Sequence, residues 1–209
     1  MSTMWMRMPG ETWPGAAASF LGAWLATMVP MMLPTVAPAL WSHYRSVARR
    51  RGVTTAVVGA GYFFVWGVVG LAVYPFGVAL ASVAMSHAAL ARVAPMAVGV
   101  VVASAGAWQF TRRKAHYLAC CRQAPTTGGP SVSPANAWCE GLRLGLHCVR
   151  CCGNLMAIAL VVGMMDLRVM AVVGAAIAAE RLAPAGERVA RFIGVVAVGV
   201  GVMMIFVGL

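Results

Sequence analysis

Charged residues are scarce in this chain, and their scarcity excludes an ordinary soluble domain. Only 10% of the 209 residues are charged, whereas a soluble domain carries about a quarter. Because 61% of the residues are apolar, polar side chains could not cover a water-exposed surface. A lipid bilayer solvates apolar side chains directly, and the composition therefore predicts an integral membrane protein.

Enzyme signatures are missing from the sequence as well. No phosphate-binding Walker loop, dinucleotide fingerprint or nucleophile elbow is present, and the five acidic residues do not form an obvious catalytic pair. The sequence therefore favours a function without catalysis. A cleavable signal peptide is not evident either, because Trp5, Pro9, Glu11 and Pro14 precede an apolar run that is too long for a signal-peptide core. We expect this run to be retained as the first helix.

Long apolar runs divide the chain into predicted membrane spans, since about 17–25 apolar residues can cross a bilayer as a helix. The six predicted spans are residues 17–41, 53–74, 94–110, 137–165, 167–182 and 192–209. Pro75 and Gly77 are predicted to mark the end of the second span. Residues 112–122 are predicted to form a short interfacial helix, followed by a flexible loop rich in proline and glycine. The predicted fold is a single all-α domain over residues 1–209, a polytopic transmembrane bundle of about six helices.

Positive charge is concentrated on one side of the predicted bundle. The net charge is +11, but the basic residues lie in short segments between apolar runs, so we exclude nucleic acid as a partner. One side carries Arg45, Arg49, Arg50, Arg51, Arg112, Arg113, Lys114, Arg122, Arg181, Arg188 and Arg191. The other side carries only Arg7, Arg92 and Arg168. By the positive-inside rule the first side is cytoplasmic, which predicts a multi-pass protein of the bacterial inner (plasma) membrane with both termini outside.

Six cysteines provide the strongest chemical signal. Three of them lie three and four residues apart on the fourth span, a spacing that places side chains on one helix face. The candidate metal ligands are Cys148, Cys151 and Cys152, together with His147, Met156, Cys120 and Cys121. Thiolate, thioether and imidazole groups suit copper(I) and zinc, and a reducing cytoplasm disfavours disulfides. Two alternatives stay open: the cysteines pack as small hydrophobes, and His147 bonds a neighbouring carbonyl.

The first span contains a second group of soft side chains. Met28, Met31 and Met32 lie beside Pro30 and Pro34, and proline leaves backbone carbonyls free inside a helix. This arrangement could extend a soft metal pathway toward the outside. The alternative is that methionine fills the irregular gaps beside helix kinks.

Ionisable residues inside membrane spans are functional candidates by default. Glu140 and Arg143 are three residues apart on the fourth span and are expected to pair. Glu180 and Arg181 are expected to anchor the inner end of the fifth span at the interface. Asp166 is either the N-cap of the fifth helix or part of an outer polar gate.

Six motifs occur in order along most of the chain. They are W-x-x-M-x-x-A-M-M-L-P-T at residues 24–35 (with Pro30 for the alanine), G-Y-x-x-V-W at 61–66, G-x-x-Q-x-T-x-x-K at 106–114, G-x-x-C-x-G-C-C-W-x-L-M at 145–156, G-x-M-N-L at 163–167 and E-K-x-x-P-x-G at 180–186. In these motifs the chain resembles a bacterial family of predicted metal-binding integral membrane proteins, a domain of unknown function. The resemblance implies a membrane protein with a metal site and supplies no known reaction. The chain departs from the pattern at Arg150, where the family has glycine, at Gly153, where it has tryptophan, and at Tyr117, where a loop cysteine is usual and for which Cys120 is a candidate substitute.

Three functional hypotheses follow. The first is a membrane protein that binds, transfers or transports copper(I) on its cytoplasmic side, with zinc as the second candidate metal. The second is an accessory subunit of a larger membrane complex, since helices rich in glycine and alanine favour helix–helix contacts. The third is a thiol redox protein that uses the vicinal cysteines. The expected partners are the lipid bilayer and either the subunits of such a complex or a metal donor protein.

Overall fold

All regular secondary structure in the described part of the chain is α-helical, which confirms the predicted all-α class. The computed structural model describes residues 12–47, 50–86, 88–123, 133–163 and 166–207. Within these ranges the helices are α1 (Trp13–Ser46), α2 (Arg51–Ser86), α3 (Ala88–Trp108), α4 (Arg112–Gln123), α5 (Pro134–Gly163), α6 (Leu167–Leu182) and α7 (Gly186–Val207). Both chain termini, the predicted loop at residues 124–132 and the predicted span ends at residues 164–165 and 208–209 lie outside the described residues.

Four helices of the described ranges are long and apolar enough to cross a bilayer. They are α1, α2, α5 and α7. Helices α3 and α4 meet at a bend of 69° and would form a fifth span if the two are taken together. Helix α6 has 16 residues, about 24 Å at 1.5 Å per residue, which is shorter than a hydrocarbon core of about 30 Å. The described residues therefore hold four or five helices of spanning length, where the sequence predicts six.

Helix boundaries follow local chemistry at some positions and depart from it at others. Asp166 accepts a hydrogen bond from the backbone N–H of Arg168 at 2.8 Å, which confirms it as the N-cap of α6. Helix α4 confirms the short helix predicted at residues 112–122. In contrast, α2 continues through Pro75 to Ser86, beyond its predicted end. Proline removes one backbone hydrogen bond, but the apolar residues on both sides still favour a helix, because only a helix satisfies their remaining backbone groups in an apolar medium.

Glycines allow two pairs of helices to approach closely. A Cβ added at Gly61 would lie 2.8 Å from the carbonyl oxygen of Trp138, and one at Gly145 would lie 2.8 Å from Val65. Gly61 and Val65 of α2 meet Trp138 and Gly145 of α5 in the same order along both helices, so α2 and α5 run parallel. Gly99 of α3 meets Gly201 of α7, and Gly106 meets Gly194. Residue numbers rise along one helix and fall along the other, so α3 and α7 run antiparallel. The contact between Val65 and Gly145 brings the middle of α2 against the cysteine-bearing part of α5.

The contact between α2 and α5 yields a stability prediction. A Cβ at Gly141 would overlap the carbonyl oxygen of Val58, whereas a Cβ at Gly153, on the same helix, meets nothing within 4 Å. We expect Gly141→Ala to lower the free energy of unfolding by about 1–3 kcal/mol through overpacking. Gly153→Ala is the matched control and should be neutral or raise stability by up to about 1 kcal/mol, since alanine favours helix. Thermal unfolding in detergent measures both, and equal behaviour of the two variants would refute the close contact.

Candidate metal centre

Two cysteines of α5 form a buried sulfur pair. The Sγ atoms of Cys148 and Cys152 lie 3.5 Å apart, and both residues are at most 1% exposed. Both are free thiols, since a disulfide requires about 2.05 Å. Two thiolates that share a tetrahedral ion at about 2.3 Å each would be about 3.8 Å apart. The observed spacing therefore fits a shared ion with little movement of either side chain.

Donors from two other helices converge on one of these sulfurs. The hydroxyl of Tyr62 on α2 donates a hydrogen bond to Cys148 Sγ at 3.0 Å. Arg181 on α6 donates from Nη1 to the same sulfur at 3.3 Å. Cys152 donates from its own Sγ to the backbone carbonyl of Cys148 at 2.9 Å. A sulfur that receives an O–H and a guanidinium N–H is in surroundings that favour a thiolate, because charge-assisted hydrogen bonds are the strong ones.

Methionines of α1 and α5 lie in the same buried core as the sulfur pair. Met28 and Met32 are fully buried, Met31 is 7% exposed and Met156 is 3% exposed, and all four belong to the cluster that contains Cys148 and Cys152. Helix α1 is held against α2 at this level by Trp24, whose indole N–H donates to the carbonyl of Trp66 at 2.9 Å. The predicted methionines thus lie in the same buried cluster as the pair.

A second sulfur pair lies on a neighbouring face of α5. Cys151 belongs to a separate cluster with Cys121, Leu118 and Ala190. The thiol of Cys121 donates to the carbonyl of His147 at 3.2 Å, and Cys121 packs with Cys151 in this cluster. The sequence predicts one face for all three cysteines of α5, but consecutive helical residues are about 100° apart. The sulfurs that meet are therefore one turn apart or on different helices, and the vicinal cysteines do not pair with each other.

The remaining predicted ligands are more peripheral. Cys120 is half-buried on α4, with its sulfur 3.6 Å from His116 Nε2. The side chain of His147 is half-buried, and its backbone carbonyl is the group that Cys121 contacts. Within the described ranges, no three side chains of His, Cys, Asp and Glu come together as a metal-binding group.

A buried polar network lies next to the second sulfur pair. Lys114 Nζ lies 2.7 Å from Glu180 Oε2 and donates to the carbonyl of Cys151 at 2.6 Å. Gln109 Nε2 donates to Glu180 Oε1 at 2.6 Å. All three side chains are at most 3% exposed. The sequence expects Glu180 and Arg181 at the interface. The structure corrects this for Glu180, whose carboxylate is paired inside the bundle, whereas Arg181 is half-buried.

Sequence reasoning from residue type and spacing missed four residues of this centre. They are Tyr62, Gln109, Lys114 and Arg181. Each contacts a partner 33 to 86 residues away in the chain, so no local spacing indicates the contact. The signal that could have found them is their position inside the family motifs. Glu140 also differs from expectation, since its Oε2 lies 3.3 Å from His43 Nδ1.

Comparison with known proteins associates the chain with a metal. A family model described as "PpoB2: Copper chaperone" matches residues 21–204, a range that contains all six motifs and both sulfur pairs. The match fits the resemblance to a bacterial family of metal-binding proteins. Searches of curated proteins and of solved structures give no match.

Proposed function

The chain belongs to the PpoB2 copper chaperone family, and from this premise we propose that it binds copper(I) within the bacterial inner membrane through Cys148 and Cys152 and passes it to an acceptor protein. The observation that carries the proposal is the buried pair of free thiols, 3.5 Å apart. Thiolates favour soft and borderline metals, and copper(I) is one of them. The four or five helices of spanning length support a location in the membrane.

The side chains around the pair favour copper(I) over zinc. Met28, Met32 and Met156 lie in the same buried cluster and offer neutral thioether sulfur, a ligand that suits copper(I). Structural zinc sites usually take four ligands from cysteine, histidine and carboxylates. Two thiolates with nearby thioethers therefore form a set that suits copper(I) better.

The second sulfur pair provides a route of entry from the predicted cytoplasmic side. Cys121 is 8% exposed, whereas Cys148 is fully buried. A surface cavity lined by Leu118, Ala190 and Gln109 borders the cluster that contains Cys121 and Cys151. Cys151 is adjacent in the chain to Cys152. A copper(I) ion delivered by a donor protein would meet the second pair first and then exchange ligands to the inner pair.

Metal binding by the purified protein tests the proposed function. The full-length chain in detergent, kept under reducing conditions, is equilibrated with copper(I) against a competing chelator. We expect at least one tightly bound copper(I) per chain and a first coordination shell of sulfur alone by X-ray absorption. The absence of bound copper, or a shell dominated by nitrogen and oxygen, would contradict the proposal.

The methionines of α1 yield a smaller prediction. Replacing Met28 and Met32 together with leucine is expected to weaken copper(I) binding roughly tenfold, because the thioethers are lost while the volume is nearly kept. Met203→Leu is the control, since Met203 is 67% exposed on α7. Competition with a copper(I) chelator measures the affinities. If the double variant and the control bind copper(I) with equal affinity, the two methionines are packing residues and not copper ligands.

A further inference from the structure

Arg181 places a positive charge directly against the inner sulfur pair. Its Nη1 lies 3.3 Å from Cys148 Sγ. The guanidinium keeps its positive charge because arginine is not deprotonated in proteins. At this distance its field acts on any ion that the inner pair holds.

Other charged side chains of the helices around the inner pair are either paired or exposed. Lys114 and Glu180 form an ion pair at 2.7 Å, so their charges sum to zero. Tyr62 of α2 contacts the pair, and Met28, Met32 and Trp24 of α1 belong to the same cluster; all four side chains are uncharged. The basic residues of α5 and α7 are exposed: Arg143, Arg150, Arg188 and Arg191. In the described part of the chain, Arg181 is thus the charged side chain that contacts a sulfur of the inner pair.

The charge balance distinguishes a monovalent from a divalent ion. Metal binding requires deprotonated thiols, so the two thiolates contribute −2 and Arg181 contributes +1. A monovalent ion brings the total to zero, whereas a divalent ion leaves a charge of +1 in a buried site. An uncompensated buried charge is costly. Softness of the ligands alone does not create this difference, because several divalent ions also bind thiolates tightly.

We propose that Arg181 makes the site selective for monovalent soft cations by matching the charge of a copper(I) bis-thiolate complex. This inference rests on the proposed function, since it assumes that Cys148 and Cys152 hold the ion. One unit of charge at about 5 Å, with an effective dielectric constant of about 20, changes the relative affinity roughly 100-fold. Arg181 is on this account a specificity-determining residue that contacts a ligand sulfur.

The test compares affinity ratios, which a purely structural role would not change. Copper(I), silver(I) and zinc(II) are titrated separately into the full-length wild type and into Arg181→Gln and Arg181→Lys, each in detergent and against a chelator of known affinity. We expect Arg181→Gln to lower the copper(I)-to-zinc(II) affinity ratio roughly 100-fold and the silver(I)-to-zinc(II) ratio by a similar factor. Arg181→Lys keeps the charge and should keep both ratios within about fivefold of wild type. Arg181→Met replaces Arg181→Gln if the latter does not fold.

The outcomes separate this inference from the proposed function. If a folded neutral variant binds copper(I) with the wild-type ratio over zinc(II), the selectivity role of Arg181 is wrong and the copper(I) site stands. The same conclusion follows if Arg181→Lys loses selectivity as fully as the neutral variant. If wild type binds no copper(I), both proposals fail.

Discussion

Replacing Cys148 and Cys152 together with serine is expected to lower the affinity for copper(I) by at least about 1,000-fold. Four-ligand zinc sites bind with about 10–16 kcal/mol, or about 2.5–4 kcal/mol per ligand, and two lost ligands exceed the roughly 4 kcal/mol that corresponds to a factor of 1,000. Serine has nearly the shape of cysteine but offers a hard oxygen, which copper(I) does not favour. Chelator competition on the purified variant in detergent provides the measurement.

Cys139→Ser is the matched control for this experiment. Cys139 lies on the same helix but is exposed, so its replacement should leave the copper(I) affinity within about twofold of wild type. If the folded double variant binds copper(I) as tightly as wild type, the inner pair is not the copper(I) site. In that case the second pair, Cys121 and Cys151, would be the next to replace.

Lys114→Met is expected to destabilise the bundle more than Gly141→Ala does. Lys114 is fully buried and Glu180 is 1% exposed, with 2.7 Å between Nζ and Oε2. Removing the cation leaves a buried carboxylate whose remaining polar partner is Gln109. Breaking a buried ion pair in this way costs about 3–5 kcal/mol. Thermal or denaturant unfolding in detergent, monitored by the loss of the helical circular-dichroism signal, measures the effect.

Two further variants show whether the loss comes from an unpaired buried charge. The double variant Lys114→Met with Glu180→Leu removes both charges and should recover most of the stability, because apolar replacements of a buried ion pair are often tolerated. Arg191→Met breaks the surface pair with Glu187, whose N–O distance is 3.8 Å and whose side chains are 66% and 58% exposed. Surface pairs contribute about 0–1 kcal/mol, so this change should be small. A Lys114→Met variant as stable as Arg191→Met would contradict the role given to the buried pair.

The sequence predicts the helical architecture well where chemistry is local. Helix α6 has the predicted bounds, 167–182, because Asp166 caps its start and Pro184 follows its end. The end predicted for α2 at Pro75 does not match, since a single proline is not enough to stop a helix inside a long apolar run. The shortness of α6 and the bend between α3 and α4 depend on packing against other helices, which hydropathy does not report.

The candidate metal centre is predictable only in part, because some of its contacts depend on the packing of different helices. Helical spacing brings Cys148 and Cys152 together, because residues four apart share a face. It cannot show that Cys151 meets Cys121 on another helix. Nor can it show that Arg181, 33 residues after Cys148, returns to the same sulfur. These contacts come from the packing of whole helices, and composition assigned Arg181 to the interface because most arginines near helix ends remain solvated.

The ion pair between Lys114 and Glu180 also has a consequence for the order of assembly during synthesis. The two residues are 66 positions apart, so at about 5–20 residues per second the ribosome needs roughly 3–13 s to reach the glutamate after the lysine. Throughout that interval the ammonium group lacks the carboxylate of Glu180 and is expected to keep its water shell. The region around α4 therefore closes late, when the glutamate arrives, and a chain truncated before residue 180 would leave that lysine hydrated.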